Sequence, residues 1–340
     1  MEFNLNKMIR PHLVGAKSYK SLRNSYLDEE MVFLDANENP FGEFNRYPDS
    51  EHLQLKNKLA EINEVKPEQL FLGNGSDELI DLAMRIFCEP TKDAIMMMSP
   101  SFVMYEMSAK LNNLEVEKLE LNENFQLNKE VFLTAISKSK AKILFLCSPN
   151  NPTGNSIDDL EFYIQNFNGI VIVDEAYIEF SKQISAVNLL DKYPNLIVLK
   201  TLSKAYGMAG LRIGVASAEI SNLFNQFKPP YNISSESQRL ALLQLENLEK
   251  LKDNISLILR QREELKVGLE KMNSITKIYI SDANFFLIEF KEAELVYQKL
   301  LNANILTSLR HPALKNCLRI SVGTAEENSK LLNVLSQIKS

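Results

Sequence analysis

A lysine among small residues is the part of this sequence best suited to covalent chemistry. Lys204 stands in the segment 201–212, TLSKAYGMAGLR, directly after the apolar run 196–199. The small neighbours leave room for a ligand beside the amine, and Arg212 follows two turns later. A lysine amine at the end of a buried strand can form a Schiff base with a carbonyl compound, which is the chemistry of pyridoxal phosphate enzymes.

A carboxylate at the end of another apolar run is a second candidate. Asp174 ends the run 170–173, IVIV, and Tyr177 follows three residues later. Burying an unpaired carboxylate is costly, so Asp174 either pairs with a cation, such as a pyridinium nitrogen, or belongs to a functional site. The alternative is that Asp174 caps the segment after the strand.

Two loops have compositions that suit ligand binding. SPNNPTG at 148–154 follows the apolar run 143–147, and turn-forming residues explain it without any function. Its position after a parallel strand favours a site instead. GNGSDE at 73–78 opens a predicted helix, where glycines and free N–H groups suit a phosphate. A turn capped by Ser76 or Asp77 is the alternative.

Short apolar runs alternate with amphipathic stretches through the middle of the chain. Strands are predicted over 94–98, 114–119, 142–147, 170–174, 196–200 and 213–217, with helices over 76–87, 102–111, 128–137 and 158–167. This alternation is typical of an α/β fold with a mainly parallel sheet. Ligands of such sheets bind at the carboxyl ends of the strands, where Lys204 and Asp174 are expected.

The pattern changes after about residue 234. Leucine and isoleucine recur every three or four residues from 245 to 258, which predicts one long helix linking two domains. Strands are predicted beyond it over 275–280, 284–289, 305–308 and 317–322, with a helix over 292–302 and another after Thr324. The last part of the chain is therefore expected to form a small α+β domain.

Composition argues against several classes of protein. The 340 residues are 45% hydrophobic and 24% charged with a net charge of −6, which predicts no basic surface for nucleic acid or an anionic membrane. Cys88, Cys147 and Cys317 form no CxxC pair, which favours a reducing compartment. The sequence shows no signal-like N-terminus and no membrane-length apolar run, so a cytoplasmic protein is expected. The three histidines lack metal-ligand spacing, and Walker, G-x-S-x-G and G-x-G-x-x-G motifs are absent.

Three motifs, in the expected order, resemble the class II pyridoxal-phosphate-dependent aminotransferases. They are the segment 201–210 around Lys204, NPTG at 151–154 and DEAY at 174–177. LDANENP at 34–40, NRYPD at 45–49 and CLRISVG at 317–323 resemble the histidinol-phosphate aminotransferases within that class. The resemblance spans about residues 19 to 326.

The resemblance implies fold type I and a homodimer with shared active sites. The large domain would bind pyridoxal phosphate, and the small domain would be built from both termini. The implied division is an N-terminal arm over 1–35 that joins the small domain, a large domain over 36–265 and a small domain over 266–340.

The resemblance also implies a role for each candidate residue around the cofactor. Lys204 would hold the cofactor as a Schiff base and act as general base, and Asp174 would keep the ring nitrogen protonated. Tyr177 and Asn151 would bond the ring oxygen O3′. The remaining implied contacts are a ring stacked by Phe102 and a phosphate bound by Gly75, Ser76, Asp77, Ser203, Arg212 and, from the neighbouring subunit, Tyr47.

Substrate choice is implied to depend on anion-binding groups. Arg319 would meet the carboxylate of glutamate or the phosphate of histidinol phosphate. Arg310 resembles a second anion-binding arginine and Tyr19 a tyrosine near the substrate, with an exposed cation and a packed aromatic as the alternatives. The resemblance places Asn37 in the same substrate site.

The implied activity is transfer of the amino group of L-histidinol phosphate to 2-oxoglutarate, in histidine biosynthesis. An aromatic amino acid aminotransferase and a threonine-phosphate decarboxylase are alternatives with a similar fold. A regulatory module that binds the cofactor without catalysis is an alternative of another class, although the residues before Asp35 are too few and not basic enough for a DNA-binding segment.

Overall fold

The computed structural model describes residues 4–17, 21, 23, 31–310 and 313–338. Two β-sheets organise this part of the chain, one of seven strands and one of four. Tyr19, a predicted substrate residue, lies outside the described residues.

Seven short strands form the larger sheet. They are β1 Leu70–Asn74, β2 Ala94–Ser99, β3 Glu115–Glu120, β4 Ala141–Cys147, β5 Ile170–Asp174, β6 Leu196–Thr201 and β7 Ile213–Ser217. β5 and β6 are buried over almost their whole length. Neither face of such a strand contacts solvent, and the sequence is therefore a run of apolar residues rather than an alternating pattern.

The strand order of the larger sheet is β1-β7-β6-β5-β4-β2-β3. β3, β2, β4, β5 and β6 pair in parallel, whereas β7 is antiparallel to both β6 and β1. The predicted α/β fold with a mainly parallel sheet is confirmed. Because β7 runs in the opposite direction, its first residue, Ile213, pairs with Asn74 at the end of β1. Arg212 therefore lies at the same sheet edge as the carboxyl ends of β1, β5 and β6.

Helices precede, separate or follow these strands in the chain and pack on the sheet. They are α1 Leu5–Met8, α2 Leu53–Asn63, α3 Gly75–Phe87, α4 Val103–Leu111, α5 Lys129–Ile136, α6 Leu160–Asn166, α7 Ser221–Phe227 and α8 Ser235–Leu245. α3 begins directly after β1 and buries one face against the core of the sheet, including Leu79, Ile80 and Met84. The buried face of α3 fixes where its N-terminus lies relative to β7.

The N-terminal segment contacts the large sheet over the residues that are described. Ile9 is buried in the core that contains Ile86 and Phe87 of α3. The backbone N–H of Arg10 donates to the carbonyl of Ile86 at 2.9 Å. Over 4–17 the apolar residues of α1 pack against the core around α3.

The single long helix predicted after residue 234 is wrong: there are two helices. α8 ends at Leu245 and α9 spans Leu248–Leu269. Asn247 caps α9 by accepting from the backbone N–H of Lys250, and its own backbone is not helical. The apolar spacing continues across the break because the last leucine of α8 and the first of α9 are three residues apart. α9 joins the two cores, with Leu251 against the large sheet and Leu265 in the core of the small one.

The smaller sheet is antiparallel throughout. Its strands are β8 Ile275–Ile278, β9 Phe285–Phe290, β10 Ser308–Leu309 and β11 Cys317–Ser321, in the order β10-β11-β9-β8. α10 Ala293–Asn302 and α11 Ala325–Ser336 pack on it, and a capping box between Thr324 and Glu327 starts α11. The strand predicted over 305–308 is only the two residues of β10, which pair with Leu318 and Arg319.

Two further features of the described residues concern membrane spans and metal sites. None of the helices in the described part of the chain has the length and apolar character needed to cross a bilayer. In the same residues, no group of three or more His, Cys, Asp or Glu side chains could hold a metal ion.

Candidate active site

A cavity of about 340 Å³ opens at the edge of the large sheet where β1, β4, β5 and β6 end. Side chains from the region of β10 and β11 line its other side. Both sheets therefore contribute to it. The predicted site residues that line this cavity are Ser76, Asp77, Phe102, Asn151, Asp174, Tyr177, Ser203, Lys204, Arg212, Arg310 and Arg319.

Asp174 is a buried carboxylate held by neutral donors. Its side chain is 2% exposed. The Tyr105 hydroxyl donates to Oδ2 at 2.6 Å, and the backbone N–H of Ala176 donates to Oδ1 at 3.1 Å. Burial raises the pKa of the Asp174 carboxyl, and the two hydrogen bonds oppose that rise. A cation beside Asp174 would restore the stability of its charged form.

Lys204 lies in the loop after β6, open to the cavity. Its Nζ is 5.7 Å from the centroid of the Tyr177 ring. The loop is held by Ser203, whose backbone N–H donates to Thr201 Oγ1 at 3.1 Å, and by the N–H of Gly207, which donates to the Lys204 carbonyl at 3.1 Å. Burial, and then the positive charge of Arg319, lowers the pKa of the Lys204 amine. A lowered pKa increases the fraction of free amine, which is the nucleophilic form.

Arg319 joins the two domains across the cavity. It lies on β11, and its Nη1 donates to Oδ1 of Asn151 in the loop after β4. Its guanidinium also lies 5.4 Å from the centroid of the Phe285 ring, which contacts Tyr177 edge-to-face at 5.1 Å. Because Oδ1 of Asn151 accepts from Arg319, the Nδ2 amide of Asn151 is the group left for a ligand.

Two glycines allow an arginine to approach the start of α3. Gly75 has φ +77°, and a Cβ there would lie 2.5 Å from Arg212 Nη2. A Cβ at Gly214 would lie 2.4 Å from the backbone carbon of Gly75. The N–H of Gly75 donates to the carbonyl of Arg212 at 2.8 Å, and the Arg212 guanidinium reaches Asp77 at 3.4 Å. The first turn of α3 and the guanidinium together form a positively polarised end of the cavity.

Two arginines face the other end of the cavity without an acidic partner. Among the described residues, neither Arg310 nor Arg319 forms an ion pair, although the chain has seventeen such pairs there. The Nε of Arg310 is buried and has no hydrogen-bond partner. Burial, and then Arg319, lowers the pKa of Arg310. A half-buried guanidinium beside a second positive charge is suited to an anionic ligand.

Two predicted residues lie away from this cavity. Asn37 and Tyr47 line a second cavity with Ser234, Ser235 and other residues. The Tyr47 ring is 51% exposed and stacks on Tyr231 with a centroid distance of 4.5 Å. Within one chain, neither residue lines the cavity of Lys204.

Comparison with known proteins identifies the family. Residues 21–335 match the model of the aminotransferase class I and II family. The chain belongs to this family. It is 45% identical to the histidinol-phosphate aminotransferase of Flavobacterium psychrophilum, with 99% of both chains covered, and 44% identical to that of Christiangramia forsetii over the same shares. Its fold is similar to the crystal structure of histidinol-phosphate aminotransferase from Sinorhizobium meliloti in complex with pyridoxal-5'-phosphate, with a TM-score of 0.79, 21% identity and 89% of each chain covered.

Sequence reasoning missed three residues that line this aminotransferase cavity or support its lining from behind. Tyr105 lies in α4, and helical spacing alone does not separate a tyrosine that bonds Asp174 from one that fills a core. Cys147 lines the cavity and pairs in register with Asp174, but the sequence indicates only that it ends an apolar strand. Gly214 had a usable signal, because an isolated glycine in a strand often marks a close backbone approach.

Proposed function

We propose that this aminotransferase uses pyridoxal 5'-phosphate to transfer the amino group of L-histidinol phosphate to 2-oxoglutarate. The products would be imidazole acetol phosphate and L-glutamate, in histidine biosynthesis. The observation that carries the proposal is the single cavity in which Lys204 lies between Asp174, Arg212 and Arg319. The names of the full-length relatives support the choice of substrate.

The ring end of the cofactor fits the residues around Asp174. A protonated ring nitrogen is the cation that this buried carboxylate lacks, and it would lower the raised pKa of Asp174. Tyr177 and the Nδ2 amide of Asn151 supply donors for the ring oxygen O3′. Phe102 lines the same cavity and offers an apolar face to the ring.

The phosphate end of the cofactor fits the start of α3. The N–H groups of Ser76 and Asp77, the Ser203 hydroxyl and the Arg212 guanidinium all belong to residues that line this end of the cavity. Helix N-termini and guanidinium groups both favour a dianion. Gly75 and Gly214 provide the space that a Cβ would fill.

The proposed chemistry divides between the cofactor and this chain. When bound, pyridoxal phosphate makes the substrate α-carbon acidic by accepting electrons into its ring. Lys204 would supply the amine that holds the cofactor, and its Nζ would then move a proton from the α-carbon of the substrate to C4′. Asp174 would hold the proton on the ring nitrogen, which needs the charged carboxylate. The lowered pKa of Lys204 favours its action as a base near neutral pH.

Arg319 and Arg310 are the proposed anion-binding residues of the substrate site. One substrate carries a phosphate and the other two carboxylates, and a guanidinium can bind either group in a bidentate manner. Arg319 also contacts Asn151, so that substrate binding and cofactor binding would share one arrangement of side chains. We include Tyr19 and Asn37 in this site on the resemblance alone.

The active form is proposed to be a cytoplasmic homodimer. Tyr47 is exposed in one chain and lies away from the Lys204 cavity, as expected of a residue that would reach the phosphate in a neighbouring subunit. Several large apolar side chains around it are also exposed, among them Leu34, Phe41 and Phe44. A second copy of the chain would cover them.

Product analysis separates the proposed transamination from decarboxylation and from binding of the cofactor alone. Protein loaded with pyridoxal phosphate and given L-glutamate, without an acceptor, should form about one equivalent of 2-oxoglutarate per chain. Release of carbon dioxide from threonine phosphate would instead support the decarboxylase. Binding of the cofactor without either product would support a regulatory module. Lys204→Ala is the control and should form no 2-oxoglutarate.

A further inference from the structure

The first turn of α3 has an asparagine at the capping position, yet the cap is not made. Asparagine is a favoured N-cap residue because its side-chain oxygen accepts from the second or third N–H of the helix. Asn74 is the N-cap residue of α3 and makes no such bond. Its Nδ2 instead donates to the backbone carbonyl of Asn232 at 3.1 Å. The Asn74 side chain is therefore committed away from the helix.

The N–H groups at the start of α3 divide into two pairs. The N–H of Asn74 donates to Glu78 Oε2 at 2.5 Å, and that of Gly75 donates to the Arg212 carbonyl at 2.8 Å. Ser76 and Asp77 come next, and no side chain of the N-cap residue accepts from them. Both residues line the cavity of Lys204. The two N–H groups that the cap would normally use are thus left for a ligand.

Asn232 is held in a single orientation by its own hydrogen bonds. Its Nδ2 donates to the carbonyl of Leu72 at 3.1 Å and to Glu78 Oε2 at 2.7 Å. Its Oδ1 lies 3.0 Å from Nε2 of His52 and 3.3 Å from Nζ of Lys228. Since both amide donors are used on one side, Oδ1 must accept on the other. Asn232 thereby links Glu78 on α3 to two buried side chains.

Those two side chains support Asn232 from the protein interior. His52 is 1% exposed and Lys228 is 8% exposed. The 3.0 Å contact between His52 Nε2 and the Asn232 Oδ1 acceptor favours the tautomer of His52 with its proton on Nε2. Lys228 also donates to the carbonyl of Ser50 at 2.7 Å, which fixes its ammonium beside Asn232.

We propose that Asn232 is a positioning residue for the cofactor phosphate. By binding Asn74 through its carbonyl and Glu78 through its amide, Asn232 keeps the first turn of α3 uncapped. The N–H groups of Ser76 and Asp77 then stay available for the phosphate. This inference rests on the proposed function, because it assumes that the phosphate binds at α3.

Two substitutions at Asn74 distinguish the effect of capping α3 from the effect of losing the hydrogen bond to Asn232. In Asn74→Ser the hydroxyl is a favoured cap and is too short to reach the Asn232 carbonyl. In Asn74→Ala both the contact and the cap are missing. We expect Asn74→Ser to raise the Kd of pyridoxal phosphate about tenfold over that of Asn74→Ala, since its hydroxyl competes with the phosphate; a tenfold change corresponds to about 1.4 kcal/mol. The Kd of pyridoxal, which lacks the phosphate, should differ less than about twofold.

A single and a double substitution test the role of Asn232 itself. Asn232→Asp removes both amide donors and places a carboxylate beside Glu78, so the Kd of pyridoxal phosphate should rise about tenfold or more. Adding Glu78→Gln supplies an amide donor to the new carboxylate and should recover most of the affinity. Gln238→Ala is the matched control, because Gln238 contacts the neighbouring Ile233 carbonyl and not Asn232 or Glu78.

A measurement without cofactor keeps this inference separate from the proposed function. In protein from which the cofactor has been removed, backbone hydrogen exchange at Ser76 and Asp77 should be slower in Asn74→Ser than in the wild type. Equal exchange rates, or equal affinities for pyridoxal phosphate in Asn74→Ser and Asn74→Ala, would overturn the inference. Failure of the wild type to bind pyridoxal phosphate would instead overturn the proposed function, and exchange would still decide whether the helix is held uncapped.

Discussion

Adding one methyl group at Gly75 should weaken phosphate binding more than it weakens the fold. Gly75 has φ +77°, and the Cβ of an alanine there would lie 2.5 Å from Nη2 of Arg212. Ordinary contact begins near 3.4 Å, so the guanidinium must move by about 1 Å. Gly75→Ala therefore acts on the position of Arg212 as well as on the backbone.

The two effects have different sizes and different controls. The left-handed backbone costs alanine about 1–2 kcal/mol of folding stability. Displacing Arg212 weakens a charge-assisted hydrogen bond to the phosphate, worth about 1.5–3 kcal/mol, or about tenfold to 150-fold in Kd. Gly15 has φ +78°, and a Cβ there would meet no atom within 4 Å, so Gly15→Ala has the backbone strain alone.

The assay is a titration of each variant with pyridoxal phosphate and with pyridoxal, followed by absorbance. Urea unfolding without cofactor measures the stability of the same samples. Gly75→Ala should lose affinity for pyridoxal phosphate by tenfold or more while its affinity for pyridoxal changes much less, and Gly15→Ala should match the wild type for both. If Gly75→Ala bound pyridoxal phosphate within about twofold of Gly15→Ala, the assignment of the phosphate to α3 and Arg212 would be refuted.

Three further predictions follow from single residues. Asp174→Asn should lower kcat by about 10²–10³, because it removes the charge that would hold the ring nitrogen proton. The thermal midpoint of the cofactor-free protein should not fall, because the substitution removes a poorly solvated carboxylate. A lower midpoint with unchanged kcat would contradict this prediction. Arg319→Lys should lower kcat/KM for both substrates by about tenfold or more, as the bidentate fork is lost, and should leave the Kd of pyridoxal phosphate within about threefold; the reverse pattern would assign Arg319 to the cofactor instead. Burial, and then Lys228, lowers the pKa of His52 from 6.5 to about 4, so the unfolded chain binds more protons between these values and the free energy of unfolding should fall by about 2 kcal/mol from pH 7 to pH 5. In urea unfolding, the free energy of unfolding of His52→Gln should fall less than that of the wild type between pH 7 and pH 5. An identical pH dependence in the two proteins would argue against a neutral, buried His52.

Local sequence patterns were enough for most of the large sheet. Apolar runs predicted β2 and β4 to β7, because a strand covered on both faces must be apolar along its length. β3, predicted over 114–119, is exposed or half-buried over most of its length, and only its Leu119 is buried. They did not show that β7 is antiparallel, although this direction is what places Arg212 beside Gly75. The break at Asn247 was also missed, since the spacing of leucines passes through it unchanged.

The candidate site was predictable where a motif ends a strand. Lys204, Asp174 and Asn151 each follow a buried run, and the structure brings all three to one cavity. Tyr105 was not predictable, because its contact with Asp174 depends on tertiary packing, in which its ring stacks on Phe145 of β4. The network around Asn232 was equally hidden, since its members are far apart in sequence and meet only through tertiary packing.

The preferred amino donor distinguishes a histidinol-phosphate aminotransferase from an aromatic amino acid aminotransferase. The measurement is kcat/KM for L-histidinol phosphate, L-phenylalanine and L-tyrosine, each with 2-oxoglutarate, using protein loaded with pyridoxal phosphate. We expect L-histidinol phosphate to be preferred by at least about a hundredfold, because its phosphate can use both Arg310 and Arg319. Equal or better turnover of either aromatic amino acid would show that the proposed substrate is wrong.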